Sequence, residues 1–242
     1  MQQHSIAHAG FVETGPGTRA YYARPAGDGP FPGALVFQEA FGVNGYVRRE
    51  AERLAAHGYA AIAPDIFDGQ TFAYEDREGI APRLQALTDE AMLQRIEPAM
   101  RFLAEQAEVK KGPYGAVGFC MGGRLAVLVA AEYGSRIGAA SSFYGGGMAP
   151  EEQRFFTPLL DRLPSIEAEL LLLYGAEDAS ILAAEHGRIA AALSEHKKAY
   201  TLTVYPHAGH AFASRDRKEL YREDSAEDAW RRTLELFGRV LT

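Results

Sequence analysis

Apolar residues in this chain fall into short unbroken runs, separated by longer stretches in which they recur every three or four positions. The runs Ala34–Gln38, Tyr59–Pro64, Tyr114–Phe119, Ile137–Tyr144 and Glu169–Tyr174 predict strands buried on both faces, and Tyr200–Tyr205 predicts a sixth. Helical spacing marks Tyr46–His57, with Gly58 placed as its C-cap, and then Gly122–Tyr133, Ile181–Glu195 and Asp224–Leu241. Leu84–Ala107 is also helical in pattern, and Pro98 inside it is expected to kink or break the helix. Pro64–Ala81 reads as loop, and Gly145, Gly146 and Gly147 end the Ile137–Tyr144 strand. Strands alternating with helices predict the α/β class, with one doubly wound, mostly parallel sheet flanked by helices. The whole chain, residues 1–242, is read as a single domain. In such sheets ligands bind outside the carboxyl ends of the strands, so the residues just after each strand are the ones to inspect.

Composition narrows the picture. The formal net charge of −7 argues against nucleic acid and anionic membrane as partners. The N-terminal residues lack a basic segment followed by an apolar core, and no apolar stretch approaches the roughly 18 residues needed to span a bilayer. A soluble cytoplasmic protein, a monomer or small homo-oligomer acting on a small molecule, is the expectation. The single cysteine rules out an internal disulfide, which fits a reducing compartment. Metal-binding spacings and a dinucleotide fingerprint are missing from the sequence, so neither metal nor cofactor is expected.

That cysteine stands in Gly118-Phe119-Cys120-Met121-Gly122-Gly123, between a predicted strand and a predicted helix. A nucleophile on such a turn is strained, and small neighbours relieve the crowding. The helix N-terminus behind it favours a thiolate. The bland alternative is an inert buried thiol among packing glycines. An acid and then a histidine must follow in chain order. Asp178 follows the Glu169–Tyr174 strand and is preferred to Glu177, which lies less deep in the loop. His210 follows the Tyr200–Tyr205 strand and is preferred to His207, because Gly209 frees the backbone to turn just before it. In this arrangement Cys120 attacks an ester or lactone carbonyl, and His210 moves the proton while Asp178 orients it. The backbone N–H groups of Met121 and of Ala40, on the loop after the first predicted strand, meet the oxyanion.

These residues resemble the dienelactone hydrolase (carboxymethylenebutenolidase) family of α/β-hydrolases. Four segments match in order, from about residue 18 to the end: Gln38-Glu39-Ala40-Phe41-Gly42-Val43-Asn44, Gly58-Tyr59-Ala60-Ala61-Ile62-Ala63-Pro64-Asp65, the cysteine elbow, and Ala208-Gly209-His210-Ala211-Phe212. The resemblance implies that Glu39 holds the resting nucleophile and helps to deprotonate it. It also implies arginines that hold a substrate carboxylate. Arg77, with Arg83 close behind, is the candidate before the middle helix. The second falls where the family has H-x-F-A-R; here that position is Ser214, and Arg215 follows it. Tyr144, at a strand end, is a further candidate for lining the pocket. Two rival readings stand beside this one: a carboxylesterase or thioesterase of the same fold, and a binding protein that has kept the fold without the chemistry.

Overall fold

The buried runs form strands as expected, and they assemble into one sheet. The computed structural model describes residues 3–152 and 155–242. Its strands are β1 (Ile6–Gly15), β2 (Thr18–Pro25), β3 (Gly33–Phe37), β4 (Ala60–Pro64), β5 (Tyr114–Phe119), β6 (Ile137–Phe143), β7 (Glu169–Gly175) and β8 (Tyr200–Tyr205). They lie side by side in the order β1-β2-β4-β3-β5-β6-β7-β8. From β4 across to β8 every pairing is parallel. The β1–β2 hairpin joins antiparallel at one edge. It has no counterpart in the sequence reading: β1 alternates between exposed and half-buried residues and carries no apolar run, and the short buried run Ala20–Ala23 of β2 is not among the predicted strands.

The helices are α1 (Gly45–Ala56), α2 (Arg77–Gln85), α3 (Asp89–Glu105), α4 (Met121–Glu132), α5 (Ala183–Glu195) and α6 (Glu223–Val240). Helices α1 and α6 pack together, with Arg53 of α1 paired to Glu227 and lying 4.6 Å over the Trp230 ring. Helices α3 and α4 pack together through Asp89 and Arg124. With both faces covered, β3, β4 and β5 are buried along their whole length.

Two expectations are corrected. The segment read as loop, Pro64–Ala81, contains the first five residues of α2, whose Asp76 N-cap accepts a hydrogen bond from the Gly79 N–H. Its weak helical signal comes from a surface position in which only Ile80 is buried. The Leu84–Ala107 pattern is likewise two helices, and the break falls before Asp89, where Thr88 caps α3, and not at Pro98. Pro98 costs one backbone hydrogen bond within α3. Burial of Met92, Ile96, Ala99, Met100 and Leu103 on the inner face offsets it.

Between α3 and α4 lies a buried ion pair. The Arg124 guanidinium donates to both Asp89 oxygens, at 2.7 and 3.1 Å, and to the Thr157 carbonyl. It anchors the start of the helix that follows Cys120 to two neighbouring segments. Removing one partner strands a charge in the interior. We expect Asp89→Ala to lower stability by about 3–5 kcal/mol. Urea unfolding reads this loss, and Asp89→Leu combined with Arg124→Met is expected to recover more than half of it.

Candidate active site

Register brings the strand ends to one level. Phe37 pairs with Gly118, Phe119 with Phe143, Phe143 with Leu173, and Gly175 with Tyr205. The residues that follow therefore emerge along a single crest: Glu39 after β3, Cys120 after β5, Tyr144 after β6, Asp178 after β7 and His210 after β8.

Cys120 stands between β5 and α4 at φ 56° and ψ −117°, a conformation that disfavours any side chain. The neighbouring glycines make the turn possible. A Cβ on Gly118 would lie 1.9 Å from the Gly122 carbonyl oxygen, and a Cβ on Gly122 would lie 2.3 Å from that of Phe37. The Cys120 N–H is latched to the Phe143 carbonyl at 3.0 Å. Tyr144 (φ 41°) and Ala211 (φ 63°) also take left-handed backbone at this end of the sheet.

The Asp178 carboxylate is buried and well served. One oxygen accepts His210 Nδ1 at 2.7 Å. The other accepts the Ser180 N–H at 2.8 Å, the Ser180 hydroxyl at 2.6 Å and the Ile181 N–H at 3.3 Å. Burial works to raise the Asp178 pKa, but the hydrogen bonds from His210 and Ser180 outweigh it and hold the carboxyl below its ordinary value. Burial likewise opposes charge on His210, yet Cys120 and Asp178 beside the ring raise its pKa. Tyr144 packs edge-on against His210, with ring centroids 5.2 Å apart, and its hydroxyl lies 3.4 Å from that of Tyr46. His207, by contrast, is exposed and faces Glu177.

Glu39 is fully buried, with one oxygen on Arg217 and the other, Oε2, without a hydrogen-bond partner. Burial raises its pKa, and the charges of Arg217 and His210 only partly offset this. Among the described residues, the N–H groups of Ala40 and Met121 have no hydrogen-bond acceptor in the protein. The other motif residues organise the backbone. Gln38 accepts from the Ile66 N–H, Asn44 caps α1 through the Val47 N–H, and Asp65 accepts from the Phe67 and Gly69 N–H groups.

The arginines fall differently from expectation. Arg77 is exposed on the first turn of α2. Arg83 is paired with Asp68 at 3.0 Å. Arg215 points away to Glu227 and the Tyr221 ring. The cation against Glu39 is Arg217, which also contacts the Ser214 hydroxyl and lies 4.7 Å over Tyr74 and 5.4 Å over Phe41. Sequence reasoning missed it because it stands two residues beyond Arg215 on an irregular segment, where only the fold of the loop decides which guanidinium turns inward. Ser180 was missed as well; its one signal is a hydroxyl two residues after the acid. Among the described residues no cluster of side chains could hold a metal ion, and no helix is long and apolar enough to cross a membrane.

A mostly parallel sheet with a strained strand-to-helix turn at its centre and a histidine after its last strand defines an α/β-hydrolase. Residues 18–241 match the model of the dienelactone hydrolase family, and the chain belongs to that family. It is a hydrolase of ester or lactone bonds. It is similar to a "Putative carboxymethylenebutenolidase" of Synechocystis sp., with 33% identity over 91% of each chain. It is also similar to a "Probable 2-oxo-3-(5-oxofuran-2-ylidene)propanoate lactonase" of Bradyrhizobium sp., with 31% identity over 89% of this chain and 86% of that one. Among solved structures, a "Putative Dienelactone Hydrolase" of Klebsiella pneumoniae subsp. pneumoniae superposes with a TM-score of 0.88, at 32% identity over 97% of this chain and 99% of the other.

The outward turn of Arg215 has a measurable counterpart in α1. Glu50 is buried beneath the Arg53–Glu227–Arg215 cluster, and its Oε2 has no partner. Burial pushes its pKa up to about 7, against the pull of Arg53, Arg215 and Arg49. An unfolded glutamate titrates at about 4.3. The folded chain thus holds this proton more tightly, and the associated stability is present at low pH and lost as pH rises through about 7. Glu50→Gln, which keeps the neutral form, is expected to remove a fall of about 2–3 kcal/mol between pH 4.5 and 7.5. Parallel denaturant curves at those two pH values check it, and an unchanged pH slope in the variant would refute the assignment.

Proposed function

We propose that the chain hydrolyses small lactones or esters of the dienelactone type by covalent catalysis through Cys120, with His210 and Asp178 as its partners. The observation that carries this reading is the strained Cys120 turn beside a His210 ring that Asp178 holds through Nδ1 at 2.7 Å. With Nδ1 engaged, Nε2 is the ring nitrogen left for the thiol.

In the proposed cycle the Cys120 thiolate attacks the carbonyl carbon, and the N–H groups of Met121 and Ala40 receive the developing oxyanion. The C–O bond to the leaving group breaks, and that oxygen takes a proton from His210. In a lactone this opens the ring, and the new hydroxyl or enol stays attached to the acyl chain. His210 then removes a proton from water, the hydroxide attacks the thioester, and the acid departs as the thiolate re-forms. Before the attack Glu39 takes the thiol proton as Arg217 loosens its hold, while His210, whose ring Cys120 and Asp178 hold towards the charged form, carries the proton given to the leaving oxygen; once the acid has left, Glu39 returns its proton to the thiolate. Its unpartnered Oε2 and raised pKa suit it to that transfer. Tyr144 backs the His210 ring.

A second reading, a broader ester or thioester substrate, draws support from the arginines. Among the described arginines weighed for the site, Arg217 alone stands against it, while Arg77, Arg83 and Arg215 are exposed or paired elsewhere. A site with one such cation has less need of a doubly anchored carboxylate.

The deciding measurement follows dienelactone hydrolysis by ultraviolet absorbance, beside a simple neutral ester. Cys120→Ala is expected to reduce turnover at least about 1000-fold. Undiminished activity in a folded Cys120→Ala would reject the nucleophile. Glu39→Gln is expected to lower kcat/KM about 10- to 100-fold. Preference for the neutral ester would select the second reading.

A further inference from the structure

We infer that Ser180 is a positioning residue whose hydroxyl bridges Asp178 and His210 and keeps water from the hydrogen bond between them. The inference rests on the reading of His210 as the base, but it concerns a residue outside the triad. Ser180 Oγ donates its only proton to Asp178 Oδ1 at 2.6 Å. Its lone pair faces His210 Nδ1 at 3.2 Å, where, with its proton spent, the oxygen acts as acceptor. The Nδ1–H is therefore shared between Asp178 Oδ2 and Ser180 Oγ. Two acceptors on one N–H define the plane of the ring as well as its tautomer.

The arrangement also sorts the carboxylate oxygens. Three donors occupy Oδ1, namely the Ser180 N–H, the Ser180 hydroxyl and the Ile181 N–H, which leaves Oδ2 for the imidazole. The exposures complete the argument. The Asp178 side chain is 0% exposed and that of His210 31%, while Ser180 is itself exposed. The serine thus stands where solvent would otherwise reach the pair from its open side. Among the described residues the Ser180 hydroxyl meets Asp178 and His210 and no other partner. The Ser180 N–H serves Asp178 whatever side chain is present.

The test is proton NMR of the His210 Nδ1–H in the intact protein, with the low-field signal assigned by its loss in His210→Gln. In Ser180→Ala its exchange with water is expected to rise about tenfold, as befits the loss of one hydrogen bond to a charged pair. Ser180→Thr, which keeps the hydroxyl, is expected to exchange as slowly as the unaltered protein. kcat is expected to fall about tenfold in the alanine variant with KM unchanged. Ser180→Ala, which loses a donor to buried Asp178, is expected to unfold a few degrees lower while staying folded under assay conditions, and Ser180→Thr is expected to unfold at the temperature of the unaltered chain. Exchange in Ser180→Ala as slow as in the unaltered protein overturns the inference, and so does fast exchange in Ser180→Thr. These outcomes are separate from the fate of the catalytic reading, which falls if Cys120→Ala retains activity.

Discussion

The close approach of Gly118 to Gly122 governs this site. Strand β5 must stop, turn through one residue and enter α4 within the width of a single carbonyl. With no room for a Cβ at either position, the strain of the turn falls on Cys120. Everything else is arranged around that point. The Cys120 N–H is tied to β6, the Gly122 position abuts the end of β3, and Arg124, one turn further on, fastens the helix to Asp89. A thiol on a flexible loop would have none of these constraints and no fixed relation to the neighbouring imidazole.

Charge at the site follows from burial. Asp178 is buried and amply hydrogen bonded, so it stays ionised. Glu39 is buried with one oxygen unsatisfied, so its ionised form is costly. Two carboxylates in one crevice are thus pushed in opposite directions, which is the condition for giving them different tasks. Arg217 decides how far Glu39 departs, and its own place is set by the faces of Phe41 and Tyr74.

What the sequence disclosed and what it withheld have separate physical origins. The interior strands could be read because burial on both faces demands unbroken apolar runs. Strand β1 could not, because an edge strand half open to water obeys a weaker pattern, and β2 went unread although its Ala20–Ala23 run is buried. Helix α2 escaped notice because one buried residue, Ile80, carries no period. Pro98 misled because the lost hydrogen bond is a local cost and the packing of α3 is a collective gain. In the crevice, Cys120, Asp178 and His210 could be singled out because they stand on the segments that follow β5, β7 and β8, at the end of the sheet where such folds bind ligands. Arg217 and Ser180 depend on loop paths that no periodicity encodes, and Arg215 shows how a shift of two residues in a loop exchanges an inward for an outward side chain.

The order of the strands along the chain has a consequence for synthesis on the ribosome. The thiol is made at residue 120, the acid at residue 178 and the histidine at residue 210, beyond the last strand of the sheet. A nascent chain emerges amino end first. Cys120 therefore leaves the ribosome well before the carboxylate of Asp178 and the imidazole of His210. The arrangement of Cys120, Asp178 and His210 is complete only once β8 has docked on β7 at the far edge of the sheet. Half-made copies therefore carry the thiol without the carboxylate–imidazole pair beside it.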